Sequence, residues 1–192
     1  MNEVVIREAE VSEREFLAEL TRSVYTEYAA EMDPTFWNNY QKSIIETVVA
    51  GEGLIRLVAQ IGDKIAGSVI LCRPYERTIG TTVLKNPHWE MRLLAVPAEF
   101  RNYGLGGRLI SYCENKVVEL GEPVLTLHTT VLMKTAAAMY LRRGYVRYPD
   151  IDFQPVPGFT VHGYIKHFES SAGSLVGKQV VSKQISRSTI EV

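Results

Sequence analysis

Cysteine is scarce in this chain: Cys72 and Cys113 are the only two in 192 residues. One falls in a β-rich run and the other inside an amphipathic segment, and a disulfide is not indicated. An excess of charge of one sign is missing too. With 21 basic and 22 acidic side chains the formal charge is −1, without the crowded Lys and Arg of a nucleic-acid-binding face. No apolar run approaches the roughly 20 residues that cross a bilayer. The N-terminus, with Asn2-Glu3 before Val4, lacks the basic and apolar regions of a signal peptide. These absences lead to the expectation of a soluble, cytoplasmic protein that binds neither nucleic acid nor membrane. His88, His128, His162 and His167 are not spaced with carboxylates or cysteines as metal ligands are, so no metal is expected. No internal repeat is evident.

Hydrophobic residues make up 46% of the chain, enough to bury a substantial core in one domain, expected over residues 1–168. Residues 169–192 form a tail in which serines are interleaved with Val180, Val181, Ile185 and Ile190. It reads as a flexible terminus ahead of a strand added to a partner or to the domain's own edge. Within the domain, Val4–Ile6 is a short strand, and Ser12 with Glu15 makes a capping box for a helix striped by Phe16, Leu17, Leu20, Val24 and Tyr28. Asp33-Pro34 starts a second helix that runs to about Ala50. Gly62-Asp63 joins Leu54–Ile61 to Lys64–Cys72 as a hairpin. From Arg73 to His88 no period is sustained, and the stretch reads as a long loop, either a surface insertion or a wall of the site.

Strand-like residues 90–96 lead into Arg101-Asn102-Tyr103-Gly104-Leu105-Gly106-Gly107, which opens an amphipathic segment reaching Leu120. A glycine-rich turn from strand to helix leaves free N–H groups at a helix N-terminus, where the dipole favours a phosphate. The spacing is R-x-x-G-x-G; it is neither the dinucleotide fingerprint nor a P-loop. Residues 124–130 then read as a buried strand, and Met133, Ala136, Ala137, Tyr140 and Leu141 recur at helical spacing until Gly144. A short strand to about Tyr148, a turn-rich stretch to Gly158 and a last strand, Thr160–Phe168, complete the domain.

With Val96-Pro97 before it, the Arg101–Gly107 block resembles the acyl-CoA pyrophosphate loop of the GNAT superfamily of N-acyltransferases. The series from Ala136 through Tyr140 to Gly144-Tyr145 resembles the same family's next strand–helix unit, and the two blocks stand in the expected order. The resemblance implies an α/β (α+β) fold, a single domain with a central mixed, mostly antiparallel sheet flanked by helices. It places an acyl-CoA in the splay between strands 90–96 and 124–130. The activity implied is transfer of an acetyl group from acetyl-CoA to a primary amine of a small molecule or peptide, by direct attack through a tetrahedral intermediate. The alternative is a non-catalytic acyl-CoA-binding sensor or regulatory module of the same fold, and a homodimer is left open.

Residue by residue, the resemblance makes Glu90 the general base and Tyr140 the proton donor to the CoA sulfur. The competing readings are a strand-end glutamate paired with Arg92 and a tyrosine that caps the core. Alternation puts Glu90 on the face of Arg92, Leu94 and Val96. Backbone groups of Leu94, Ala95 and Val96 are implied for the oxyanion and pantetheine. Asn102, Tyr103, Gly104, Leu105, Gly106 and Gly107 are implied for the phosphates, with Arg101, Arg108 and Arg143 as candidate cations. Ala137, like Ala136, lets the cofactor pass close to the helix. Asn102 stands where glycine is frequent, and Asn tolerates a left-handed backbone. Met133 stands where many relatives carry Asn. The implied acceptor site draws on Tyr25, Glu27, Tyr28, Glu31, Asp33, Phe36, Trp37, Trp89, Asp150 and Asp152, a set suited to a cationic amine. Cys113 shares a helical stripe with Leu105, Leu109 and Val117 and is expected to be inert.

Overall fold

The computed structural model describes residues 3–79 and 82–169, so the tail from 170 onward lies outside the described residues. Among the described residues, ten strands and four α-helices follow one another. β1 (Val4–Glu8) is followed by a single 3-10 turn, Val11–Glu13, and by α1 (Arg14–Tyr25). The capping box expected at Ser12 and Glu15 lies two residues earlier. Glu13 accepts from the Glu10 N–H at 2.8 Å and pairs with Arg7 at 2.6 Å, which draws the helix entry toward β1. α2 (Pro34–Ala50) begins as the sequence suggests, with Asp33 accepting from the Phe36 N–H at 2.9 Å and proline in the first turn.

The far end of α2 is held by Arg56 of β2 (Leu54–Ile61). This nearly buried guanidinium donates to the carbonyls of Val48 at 2.5 Å, Gly51 at 2.7 Å and Thr47 at 3.3 Å. It satisfies the last carbonyls of a helix that would otherwise end in apolar surroundings. β3 (Lys64–Cys72) returns antiparallel to β2 through Gly62-Asp63. The stretch expected as a loop, 73–88, is instead a two-stranded hairpin: β4 (Tyr75–Ile79) pairs antiparallel with β5 (Thr82–Asn86). The inward face of this hairpin mixes Tyr75, Arg77 and Asn86 with Ile79 and Leu84, so no clean apolar period is visible in its sequence.

β6 (Trp89–Ala95), α3 (Leu105–Glu119), β7 (Val124–Thr129) and α4 (Lys134–Arg142) follow, then β8 (Val146–Arg147), β9 (Phe153–Val156) and β10 (Phe159–His167). The main sheet runs β1-β2-β3-β6-β7-β10-β8, with β9 paired to β10. Every pairing is antiparallel except β6 with β7. The mixed, mostly antiparallel sheet flanked by helices is therefore as the resemblance implied. Alternation sends Leu57, Val69, Leu71, Leu125 and Leu127 to one face, under Leu105, Leu109, Cys113 and Val117 of α3. Val58, Ile70 and Cys72 face the other side, under Leu17, Leu20, Ile44 and Val48 of α1 and α2.

β6 changes faces part-way. Opposite β3 it carries one extra residue, since Ile70 pairs with Arg92 but Ser68 with Ala95, and Leu93 takes φ 52°. A bulge of this kind reverses the alternation beyond it. Trp89 and Met91 pack on the α3 face, whereas Leu93 and Ala95 pack under α1 and α2. Glu90 and Arg92 thus share a face, but Leu94 and Val96 lie on the opposite one, a correction to simple alternation.

Replacing Arg56 by Met keeps the apolar stem and removes the donors to three carbonyls. The expected loss is about 2–4 kcal/mol of unfolding free energy by urea titration; an unchanged midpoint would show that water caps α2 equally well.

Candidate active site

β6 and β7 are parallel neighbours for three residue pairs only, Trp89–Leu125, Glu90–Thr126 and Met91–Leu127. Beyond them the strands part. At the mouth of this splay, under α2 and the β4–β5 hairpin, lies a cavity of about 410 Å³. Tyr25, Phe36, Tyr40, Phe153 and Phe159 form aromatic walls, Met133 stands at the α4 end, Arg77, Glu90 and Arg92 supply charge, and His128 adds an imidazole. A groove of about 900 Å³ runs between α1 and Pro97–Arg101, but its Glu27 and Arg101 are paired with each other at 2.8 Å and it contains no histidine or cysteine.

Glu90 is fully buried. Its Oε1 accepts from His128 Nδ1 at 2.9 Å and lies 3.6 Å from Arg92 Nε; its Oε2 accepts from the Tyr75 hydroxyl and from Asn86 Nδ2 at 3.3 Å. Burial alone would raise the pKa of this carboxyl. The hydrogen bond and charge of His128, the charge of Arg92 and the Tyr75 hydroxyl outweigh burial and bring it down to about 2. Asn86, itself fully buried, also donates to Thr126 Oγ1 at 2.8 Å and accepts from the His88 N–H at 3.1 Å, so its orientation is fixed. His128 Nε2 meets the Ile151 carbonyl at 2.7 Å. The ring is thereby held between the Glu90 carboxylate and a main-chain carbonyl, which fixes its orientation.

Burial opposes the charge of Arg92, but Glu90 holds it above its ordinary range. Arg77 differs. Its guanidinium lies 5.0 Å from the Tyr75 ring and 5.7 Å from the Phe153 ring, its pKa lowered by burial and then by Arg92. Its Nε is buried without a hydrogen-bond partner, as are the hydroxyls of Thr129 and Thr130. All three residues line the cavity.

At the other end of the splay, α3 begins at Gly104 (φ 74°) with no side-chain cap, and a Cβ there would meet nothing within 4 Å. Asn102 takes φ 67°, the left-handed conformation expected of it. The N–H groups of the first turn, from Leu105 through Gly107, are free for an anion. Arg108 and Tyr103 are exposed beside them. Arg101 donates to the Val96 carbonyl at 3.1 Å as well as to Glu27. Arg143 is tied to Glu114 at 2.9 Å and to Ser111 Oγ at 2.7 Å, and its Nη1 lies beside Gly107, 3.9 Å from where a Cβ would stand. On α4, Ala137 is half-buried, and Tyr140 is buried against Tyr145 at 5.9 Å between centroids. Burial pushes the Tyr140 phenol upward, so it stays protonated; its hydroxyl makes no hydrogen bond to the described residues. Cys113 is buried with its thiol pushed upward in the same way, as its stripe suggests.

Of the residues expected around the acceptor, Tyr25, Asp33 and Phe36 line the cavity. Asp152 instead binds Arg147 at 2.6 Å and the Gly163 N–H at 2.7 Å, and Trp89 packs under α3. Two arginines, Arg77 and Arg92, line the cavity beside Glu90 and Asp33. Tyr75, Arg77, Asn86 and His128 are the residues that sequence reasoning missed. The alternation of Thr126, His128 and Thr130 in an otherwise apolar strand was the visible sign of a polar face. Among the described residues no cluster of His, Cys, Asp and Glu is arranged to hold a metal ion, and no helix is long and apolar enough to cross a membrane.

Because folding lowers the Glu90 pKa from 4.5 to about 2, its contribution is complete above pH 4.5 and is lost as pH falls through 2. Glu90→Gln is expected to cost on the order of 3 kcal/mol at pH 7 and to flatten the stability curve across that acid window. Urea unfolding at a series of pH values checks both; parallel curves for the two proteins would contradict the coupling.

The sequence matches the acetyltransferase (GNAT) family over residues 14–145. No curated protein sequence matches the chain. Solved structures share its fold. The PaiA N-acetyltransferase of Thermoplasma acidophilum, in complex with coenzyme A, has 14% identity and a TM-score of 0.65, covering 86% of this chain and 99% of its own. A GNAT acetyltransferase of Staphylococcus aureus Mu50 has 20% identity and a TM-score of 0.64, covering 87% and 100%. An aminoglycoside 6'-acetyltransferase type Ii has 20% identity and a TM-score of 0.61, covering 85% and 96%. The family match spans more than half of the chain, and the protein belongs to the GNAT acetyltransferase family.

Proposed function

We propose that this protein transfers an acetyl group from acetyl-CoA to a primary amine seated in the aromatic cavity. The observation that carries the reading is the splay itself: it joins an uncapped helix N-terminus at one end to a charged, aromatic-walled cavity at the other. When bound, acetyl-CoA supplies an activated acetyl thioester. Leu94, Ala95 and Val96 offer backbone groups that β7 does not pair, and the Asn102–Gly107 turn offers N–H groups to phosphate. Arg108 is the exposed cation at that turn. Arg101 and Arg143 are held by carboxylates, and they stiffen the loop and the α3–α4 contact instead.

Tyr140 is the proton donor in this account, since burial keeps its phenol protonated and its hydroxyl is not committed elsewhere. The role of Glu90 changes from base to anchor. Both its oxygens already accept hydrogen bonds, and a carboxyl brought down to about 2 is a weak base toward an ammonium ion. Glu90 orients Arg92, His128 and Tyr75, while the cations around it favour the neutral, nucleophilic form of the bound amine.

Tyr140→Phe is expected to lower kcat by on the order of 100-fold while leaving the acetyl-CoA Kd within about twofold. Stopped-assay CoA release together with calorimetry separates the two quantities, and equal turnover would remove the phenol from the chemistry. Gly104→Val places a β-branched side chain at φ 74° and is expected to weaken acetyl-CoA binding about tenfold. Wild-type binding of acetyl-CoA without release of CoA to any amine would favour the sensor reading.

A further inference from the structure

The charged side chains of the cavity floor come from β4 and β6. Two arginines, Arg77 and Arg92, stand there against one buried carboxylate, Glu90, whose oxygens are already occupied by Tyr75, Asn86 and His128. His128 is engaged by Glu90 and the Ile151 carbonyl and offers no counter-charge to either arginine. Asp33 also lines the cavity, but it is exposed and caps α2 through the Phe36 N–H. Among the described residues no carboxylate lies within 4.0 Å of Arg77, and the buried Nε has no partner at all. A buried guanidinium donor left unmatched is costly, and a bound anion removes that cost.

The walls narrow the class of ligand. Phe36, Tyr40, Phe153 and Phe159 surround a volume of about 410 Å³, room for one compact molecule with an apolar body. A polycation would meet Arg77 and Arg92, with only the already engaged Glu90 and the helix-capping Asp33 as carboxylates in the lining. A planar carboxylate, by contrast, matches the fork of a guanidinium in two parallel hydrogen bonds. Thr129 and Thr130 line the cavity toward the β7 end of the splay.

We propose that the acceptor is an amine bearing a carboxylate on an apolar body, of the size of a single hydrophobic amino acid, with its carboxylate on Arg77 and Arg92. This rests on the acetyltransferase reading above and specifies its substrate class. The reaction balances without a further reactant: the ammonium first releases one proton to solvent, the neutral amine nitrogen forms the bond to the acetyl carbon, the carbon–sulfur bond breaks, and the second proton lost by nitrogen balances the one gained by sulfur. Arg77 acts here in binding and specificity and is not a group that moves protons.

The test uses the full chain, acetyl-CoA and a panel of the natural amino acids, each beside its matched carboxamide, with spermidine and kanamycin as polycations. The best substrate is expected to be a free acid with an aromatic or branched aliphatic side chain, preferred over its own amide by about 10- to 100-fold in kcat/KM. Arg77→Gln should shrink that acid-to-amide ratio toward one, chiefly through KM. Arg77→Lys, which keeps the charge without the fork, should retain part of it. A thermal unfolding scan of both variants separates loss of fold from loss of preference; should neither variant fold, the wild-type ratio alone decides. Amides or polycations turned over as well as the acids would overturn the proposal, as would acetyl-CoA binding with no acid accepted. Absence of acetyl-CoA binding, measured separately by calorimetry, would instead strike the acetyltransferase reading beneath it.

Discussion

The parallel contact between β6 and β7 holds for only three residue pairs before the strands separate, and the functional geometry of the molecule grows from that separation. Two constraints enforce it. The bulge at Leu93 turns the second half of β6 so that Leu93 and Ala95 pack under α1 and α2, against the alternation of the first half. At the same level β7 gives way to Thr130 and the entry to α4. Main-chain groups that would complete a ladder are thereby left facing an opening. Buried backbone donors and acceptors demand partners, and an elongated ligand laid between the strands is the partner this opening suits.

Charge at the site is organised in layers. Glu90 lies at the centre, and four side chains drawn from separate elements converge on it: Tyr75 from β4, Asn86 from β5, Arg92 from β6 and His128 from β7. The hairpin therefore does more than cover the sheet. It supplies half of the network that keeps a buried carboxylate ionised, and it delivers Arg77 to the cavity with its Nε unpartnered. Replacing a buried pair by apolar residues is often neutral for stability, while removing one partner is severe. A network of this size is thus better understood as fixing the positions of charged groups than as a source of net stability.

Much of the fold was legible in the chain. The Arg101–Gly107 turn, Asp33-Pro34, Gly62-Asp63 and the apolar stripe of α3 each mark an element through local chemistry, and local chemistry is what sequence displays directly. The β4–β5 hairpin was not legible, because its inward face mixes Tyr75, Arg77 and Asn86 with Ile79 and Leu84, while apolar Val83 is exposed on the outward face beside Glu76 and Thr78. Neither face is uniformly apolar, so the two-residue period is blurred in hydropathy. The bulge at Leu93 was hidden for a different reason: an apolar residue in the left-handed region is uncommon, and only pairing with β3 reveals the extra residue. Glu90 was found from sequence, but its partners were not, since His128 and Asn86 reach it across 38 and 4 residues of chain through tertiary structure alone.

The most direct test of the splay as the cofactor site is backbone amide hydrogen exchange with and without acetyl-CoA. The account predicts that protection rises at Leu94–Val96 and at Leu105–Gly107, two segments joined only through the opening between β6 and β7. Protection gained instead along the groove between α1 and Pro97–Arg101, with Leu94–Val96 and Leu105–Gly107 unchanged, would contradict it.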